Sequence, residues 1–296
     1  MEKQLQLFME RAAADVEEEL KALLPADDER CGRLIKAINY GVFTGGKRLR
    51  PTAFFAVLDA LGTERKPYLS FAAAIEMIHS YSLIHDDLPA MDDDDFRRGK
   101  PTVHKIFGES TAILAGDGLL TYAFIAMMKN RAMLDANRLM NAMEMVADCA
   151  GLGGMVAGQA VDVLANMGNT DLEALLYIHE NKTGKLFLAS LVSAAILAGA
   201  DKKTQEALHR YALSAGLAFQ IIDDVMDLRE ANASGGKIRT SDMIKHKMTF
   251  PVLLGIAASE QMAQEKVEEA KAAIAFLGER GLILNALADY LVQRKV

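Results

Sequence analysis

Six carboxylates fall within ten residues of this chain: Asp86, Asp87 and Asp92 to Asp95, in the segment SYSLIHDDLPAMDDDDFRRGKPTVH that spans residues 80–104. Neighbouring acids at a protein surface repel by roughly a few kcal/mol per close pair, and Arg97 and Arg98 are the local groups that can offset this. Hard cations held through oxygen would remove the repulsion; Mg²⁺ typically takes one or two carboxylates and fills its shell with substrate phosphate. A solvated acidic loop is the alternative. A second acidic group favours the cation reading. Gln220, Asp223, Asp224 and Asp227 interrupt the apolar run LSAGLAFQIIDDVMDL. On a helix these four side chains lie within about 100° of one another. Carboxylates on a buried helix need partners, because desolvating an unpaired charge is costly. Two such clusters imply a pocket in which metals bridge opposite walls.

Cationic residues at several places fit an oligophosphate in that pocket. Lys47 and Arg50 follow Gly45-Gly46 and can share a helix face, with glycine backbone able to approach a ligand closely. Arginine suits a two-pronged phosphate contact; the other reading is a basic helix start on the surface. His79 lies seven residues before Asp86 and so two turns below it on nearly the same face. Polar residues His179 to Gly184 interrupt a long apolar helical pattern, and Gly184 beside Lys182, Thr183 and Lys185 marks a kink at a ligand or a simple bend. The loop from Glu230 to Asp242 carries Lys237 and Arg239, and Lys245, His246 and Lys247 lead into Thr249-Phe250-Pro251. Walker, kinase and Rossmann glycine patterns are missing, which argues against nucleotide chemistry. An apolar helical interior beside a diphosphate site implies an apolar substrate with a diphosphate head.

The elements that must position these groups are helices. The chain has 296 residues, 51% of them hydrophobic, and few prolines (6). Alanine, leucine and methionine recur at helical spacing and no alternating β-branched run appears, so the chain reads as nearly all helix. No stretch resembles a linker, so residues 1–296 are expected to form one domain. Helices are expected over 2–24, 29–43, 67–87, 110–129, 135–149, 152–164, 171–199 and 203–228, with three amphipathic helices after Pro251. Pro89 should break the helix after Asp87, so Asp92 must return on an irregular turn to share a cation with Asp86. The net charge of −7 argues against a nucleic-acid partner. Cys31 and Cys149 make no disulfide framework, the N-terminal helix lacks the order of a signal peptide, and no continuous apolar run approaches the roughly 18 residues of a membrane span. A cytoplasmic protein without membrane contact is the expectation.

GGKRLRP, MIHSYSLIHDDLPAMDDDDFRRGKPTVH, KTG, FQIIDDVMD and KMTFP occur in one order that resembles the trans-isoprenyl diphosphate synthases, and among them the bacterial farnesyl diphosphate synthases. The resemblance covers essentially the whole chain. It implies a single bundle of antiparallel helices around a deep central cavity, forming a homodimer. Asp86, Asp87 and Asp92 match the first aspartate motif, DDxxxxD, and Asp223, Asp224 and Asp227 match the second, DDxxD. Together these would hold three Mg²⁺ on an allylic diphosphate (dimethylallyl or geranyl), with Arg97, Lys182, Lys237 and Lys247 completing its shell. Isopentenyl diphosphate would bind through Lys47, Arg50, His79 and Arg98. The lysine carbonyl at Lys182, Thr183 and Gln220 would shelter the allylic cation. The implied reaction is sequential 1′-4 condensation.

Tyr81, five residues before Asp86 and about 7 Å down the helix axis, resembles the aromatic cavity floor of farnesyl synthases, and Ser82 beside it leaves space. A C15 product is expected, with C10 and C20 as alternatives. One departure concerns the family's GKxxGxD, which here reads Gly236-Lys237-Ile238-Arg239-Thr240-Ser241-Asp242, so Thr240 puts the placement of Lys237 in question. A terpene cyclase, a non-catalytic diphosphate-binding subunit and an EF-hand Ca²⁺ protein are the competing classes. The intact DDxxD, the presence of both motifs and the lack of EF-hand spacing argue against them in turn.

Overall fold

The structure, a computed structural model, describes residues 1–27, 29–165, 171–233 and 249–293. Its elements in order are α1 (Glu2–Leu23), α2 (Gly32–Phe43), α3 (Leu49–Ala60), α4 (Leu69–Asp86), α5 (Val103–Phe107), α6 (Glu109–Met127), α7 (Ala136–Ala150), α8 (Met155–Ala165), α9 (Leu172–Ile178), α10 (Lys185–Leu197), α11 (Lys202–Ala233), α12 (Phe250–Leu254), α13 (Ile256–Ala273) and α14 (Leu282–Val292). The all-α expectation holds. The described exception is a two-stranded ribbon, β1 (Phe96–Arg97) antiparallel to β2 (Lys100–Pro101). Arg98 (φ 53°) and Gly99 (φ 74°) turn its corner in the left-handed region, as a tight two-residue hairpin requires. The turn therefore sits at residues 98–99, with Arg97 paired to Lys100 across it.

Helix periodicity explains which faces turn inward. In α1, Leu5, Ala12, Val16 and Leu20 are buried at spacings of four and seven, a one-sided stripe. By contrast α3, α4 and α10 are buried on nearly every side, from Pro51 to Leu58, Ser70 to Ile78 and Leu186 to Ala195. Such helices belong at the centre. One buried apolar cluster runs from Leu5 to Leu291. The helix expected over 171–199 is instead three pieces: α9, a π-helical turn at His179–Gly184, and α10. Single π turns widen a helix by one residue and often accompany functional sites.

The membrane expectation needs one correction. The helical stretch Glu109–Met133 is long and apolar enough to span a bilayer, with mean hydropathy 1.5. Asp117 breaks any continuous apolar run, which is why run length misses what a window average finds. Its Ala112, Ala115, Leu119 and Ala123 are buried, and α6 packs along α4.

Candidate active site

A cavity of about 1240 Å³ opens among α3, α4, α8, the π turn and α11, and both aspartate clusters reach it. The first is delivered by the end of α4. After Asp86 the backbone folds back on itself: Asp92 N–H donates to the Asp86 carbonyl (2.8 Å), Asp93 N–H to Leu88 (3.1 Å) and Asp94 N–H to Asp87 (3.2 Å). Asp93 takes a left-handed conformation (φ 51°) to make this turn. Asp86 and Asp92 thus line the cavity together. Burial pushes the Asp86 carboxyl up to about 6; Lys182 opposes that rise and Asp92 adds to it.

Asp87 and Asp224, expected among the reacting carboxylates, do not line this cavity but hold groups that surround it. Asp87 is 3% exposed and does not reach the cavity wall. Its Oδ1 accepts from Arg97 Nε at 2.7 Å and pairs with Nη2 at 2.6 Å, so it fixes the guanidinium that does line the cavity. Adjacent side chains on an α-helix lie 100° apart, and the partner each meets decides which of an Asp-Asp pair turns to the cavity. In the second cluster Asp223 and Asp227 line the cavity. Asp224 Oδ2 accepts from Phe250 N–H (3.1 Å) and lies 3.3 Å from His179 Nε2, joining α11 to the start of α12 and to the π turn. The His179 ring also stacks on Phe250 at 5.3 Å.

Around the π turn, Lys182 Nζ reaches Asp162 Oδ2 on α8 at 2.7 Å. Close approach of α8 depends on Gly158: a Cβ there would collide with the backbone nitrogen of Lys182 and come within 2.8 Å of the Asn181 carbonyl carbon. Thr183 Oγ1 donates to Gln220 Oε1 (3.1 Å), and His179 Nδ1 lies 3.2 Å from the same oxygen. That oxygen therefore accepts from Thr183 within the protein. Gln220 and Thr183, expected with the Lys182 carbonyl to shelter an allylic cation, both line the cavity and are joined to each other.

The cavity is also lined by Lys47, Arg50, His79 and Arg98, the set that the resemblance implies for isopentenyl diphosphate, together with Arg48 and Glu76. Lys47 Nζ sits 5.2 Å over the Tyr290 ring of α14. Arg98 Nη1 donates to the Gly45 carbonyl, and a Cβ on Gly46 would lie 2.6 Å from that nitrogen. Gly46 makes room for the guanidinium and Gly45 supplies the carbonyl that it meets. Burial lowers Arg50 to about 10, with Glu76 opposing and Arg98 adding. Burial first, and then Arg50 and Arg98, hold His79 well below its ordinary value, so it enters this site as a neutral donor and acceptor.

Arg48 and Glu76 escaped sequence reasoning. Arg48 is left-handed (φ 49°) and 3% exposed, and it donates to Glu76 Oε1 and to the Val42 carbonyl, both at 2.8 Å. A single glutamate inside FAAAIEMI, flanked by apolar residues on both sides, is the signal that could have found it. Gln159 and Asp162 on α8 were missed as well; nothing in their spacing points at the other wall. Tyr81 lines the cavity at 6% exposure with Ser82 beside it, whose hydroxyl donates to the His79 carbonyl (2.9 Å). Burial, with Asp86 adding, pushes the Tyr81 hydroxyl up to about 12. Lys237, Lys247 and the segment bearing Thr240 lie outside the described residues.

The polyprenyl synthetase family profile matches residues 32–275. This chain belongs to that family. Members similar to it include the farnesyl diphosphate synthase of Geobacillus stearothermophilus, 46% identical over 81% of each chain. The geranylgeranyl diphosphate synthase of Cyanophora paradoxa is 44% identical over 87% of this chain and 86% of its own. Among solved structures, an apo FPP/GFPP synthase from Zymomonas mobilis superposes with a TM-score of 0.89 at 36% identity, covering 99% of this chain and all of its own (100%). Membership makes the chain a prenyltransferase with the all-α fold of its relatives, and isopentenyl and allylic diphosphates are the substrates of that family. Relatives at nearly equal identity carry different product names, so membership leaves product length open.

Proposed function

We propose that this polyprenyl synthetase condenses isopentenyl diphosphate with dimethylallyl and then geranyl diphosphate, giving farnesyl diphosphate (C15) in a Mg²⁺-dependent reaction. The observation that carries this reading is that Asp86 and Asp92 on one wall, and Asp223 and Asp227 on another, line the same cavity as Lys47, Arg50 and Arg98. Among the described residues no three acidic, histidine or cysteine side chains stand close enough to hold an ion by themselves. That donor set fits Mg²⁺ that brings a diphosphate with it, since such ions keep few carboxylates and complete their shell with phosphate oxygen and water. Three ions so bound would neutralise the leaving diphosphate as the allylic C–O bond breaks.

The chain's own groups do the rest. Arg97, locked by Asp87, and Lys182, held by Asp162, face the allylic diphosphate; Lys47, Arg50, Arg98 and neutral His79 hold the second. The double bond of isopentenyl diphosphate supplies the pair for the new C1′–C4 bond, and a proton from its C2 passes to the departed diphosphate. Tyr81 closes the cavity below Asp86 with a neutral aromatic ring. The protein works as a cytoplasmic homodimer, a second copy covering Ile113, Leu114 and Ile125, which are at least 44% exposed on α6.

Release of inorganic diphosphate should require both substrates, stop in excess EDTA and return with Mg²⁺; release that persists in EDTA would contradict the metal requirement. Tyr81→Ala should move the main product from C15 to C20 or longer, read by chromatography of the dephosphorylated alcohols. An unchanged profile would remove Tyr81 as the floor.

A further inference from the structure

We propose that Gly116 and His85 set the position of the Tyr81 ring and are thereby determinants of product length. The inference rests on the reading of Tyr81 as the cavity floor and extends it to a second helix. His85 lies one turn above Tyr81 on α4, and the two rings meet edge to face with centroids 5.7 Å apart and planes at 87°. Both residues line the cavity. The His85 imidazole crosses to α6, where Nε2 lies 2.9 Å from the Ile113 carbonyl and 4.0 Å from Asp117 Oδ1.

It can cross there because residue 116 has no side chain. A Cβ on Gly116 would run into His85 Nε2 and Cδ2 and stand 2.7 Å from Cε1. Contacts that short do not occur between real side chains, so the imidazole would have to leave its seat. The Gly116 backbone is ordinary helix, with no positive φ that would require glycine. A mid-helix glycine is less favourable than alanine, and the use visible for that cost is the notch itself. The seated ring backs Tyr81 from the α6 side. With the notch filled, the imidazole moves off α6 toward Tyr81 and the cavity; with the imidazole removed, Tyr81 loses its backing and can lean outward.

Opposite shifts should follow. At matched low conversion, Gly116→Ala should raise the ratio of C10 to C15 product by about tenfold, the size of discrimination that one or two carbon atoms of pocket room gives. His85→Ala should raise the ratio of C20 to C15 by a similar factor. In the double variant no ring remains to be displaced, so its distribution should follow His85→Ala rather than the product of the two single effects. His85 adjoins Asp86, so total rate can fall in these variants; the distribution is the readout because a general loss of activity leaves it unmoved. Tyr81→Ala is run alongside. Longer products from Tyr81→Ala, with wild-type distributions from both Gly116→Ala and His85→Ala, would overturn the notch and leave the floor standing. An unchanged profile in Tyr81→Ala would overturn both readings. Should Gly116→Ala fail to fold, His85→Ala introduces no new contact and decides alone: an unshifted distribution there overturns the proposal.

Discussion

Asp86→Asn should lower turnover by about 10³-fold or more while making the metal-free protein more stable at neutral pH. The two effects have one cause. Burial lifts the Asp86 carboxyl to about 6 from its ordinary value of 3.8. In a group whose folded value is raised, the folded state binds the extra proton between those two values. Its charged form at pH 7 to 8 is therefore a destabilising contribution, relieved as pH falls through about 6. Asparagine keeps the shape and drops the charge, so it should add roughly 1–3 kcal/mol at pH 7.5 in EDTA and nearly nothing at pH 4. Thermal melts of wild type and Asp86→Asn at the two pH values, with turnover measured on the same preparations, read both quantities. A variant that melts lower than wild type at pH 7.5, or that turns over normally, would contradict this role. The Asp223→Ala change should cost as much rate, since the second wall of the cavity depends on it.

The second large effect is structural. Glu76→Leu should cost roughly 3–5 kcal/mol, because it leaves the Arg48 guanidinium buried without its carboxylate. Arg48 has little alternative: it is 3% exposed, starts α3 in a left-handed conformation and otherwise meets the Val42 carbonyl and, at 3.4 Å, Glu17. Replacing both partners with apolar residues, Arg48→Met with Glu76→Leu, should recover much of that loss, as buried ion pairs often add little over a packed apolar pair. Urea midpoints at constant slope measure the difference. A single-variant loss under about 1 kcal/mol would show that the pair is solvated and that the cationic end of the cavity is looser than described.

What was legible in the sequence was periodic or locally anomalous. Helices α1, α4 and α11 announce themselves through apolar spacing, and their boundaries fall within a few residues of the expected ones except at the far end of α11, which runs on to Ala233. Both acid clusters stood out because carboxylates interrupt apolar runs. Less legible was anything set by the partner element across the cavity. Asp87 and Asp224 belong to the motifs by spacing, yet Arg97 and the Phe250 amide decide where they point. Asp162 has meaning only beside Lys182, and Gly116 only beside His85. Gly184 correctly marked an interruption, but a π turn rather than a bend is what tertiary packing of α8 against it selects. The apolar stretch Glu109–Met133 was not legible as a run because a scattered charge such as Asp117 interrupts it.

The most direct test of the central claim is an incubation of the purified protein with Mg²⁺, labelled isopentenyl diphosphate and either dimethylallyl or geranyl diphosphate, with products separated by chain length. Label should pass into a C15 product from both starters, through C10 when dimethylallyl diphosphate is supplied. Products of C20 or longer would keep the condensation and discard Tyr81 as the floor. No incorporation from either starter would contradict the assignment of the two aspartate walls as a condensing site.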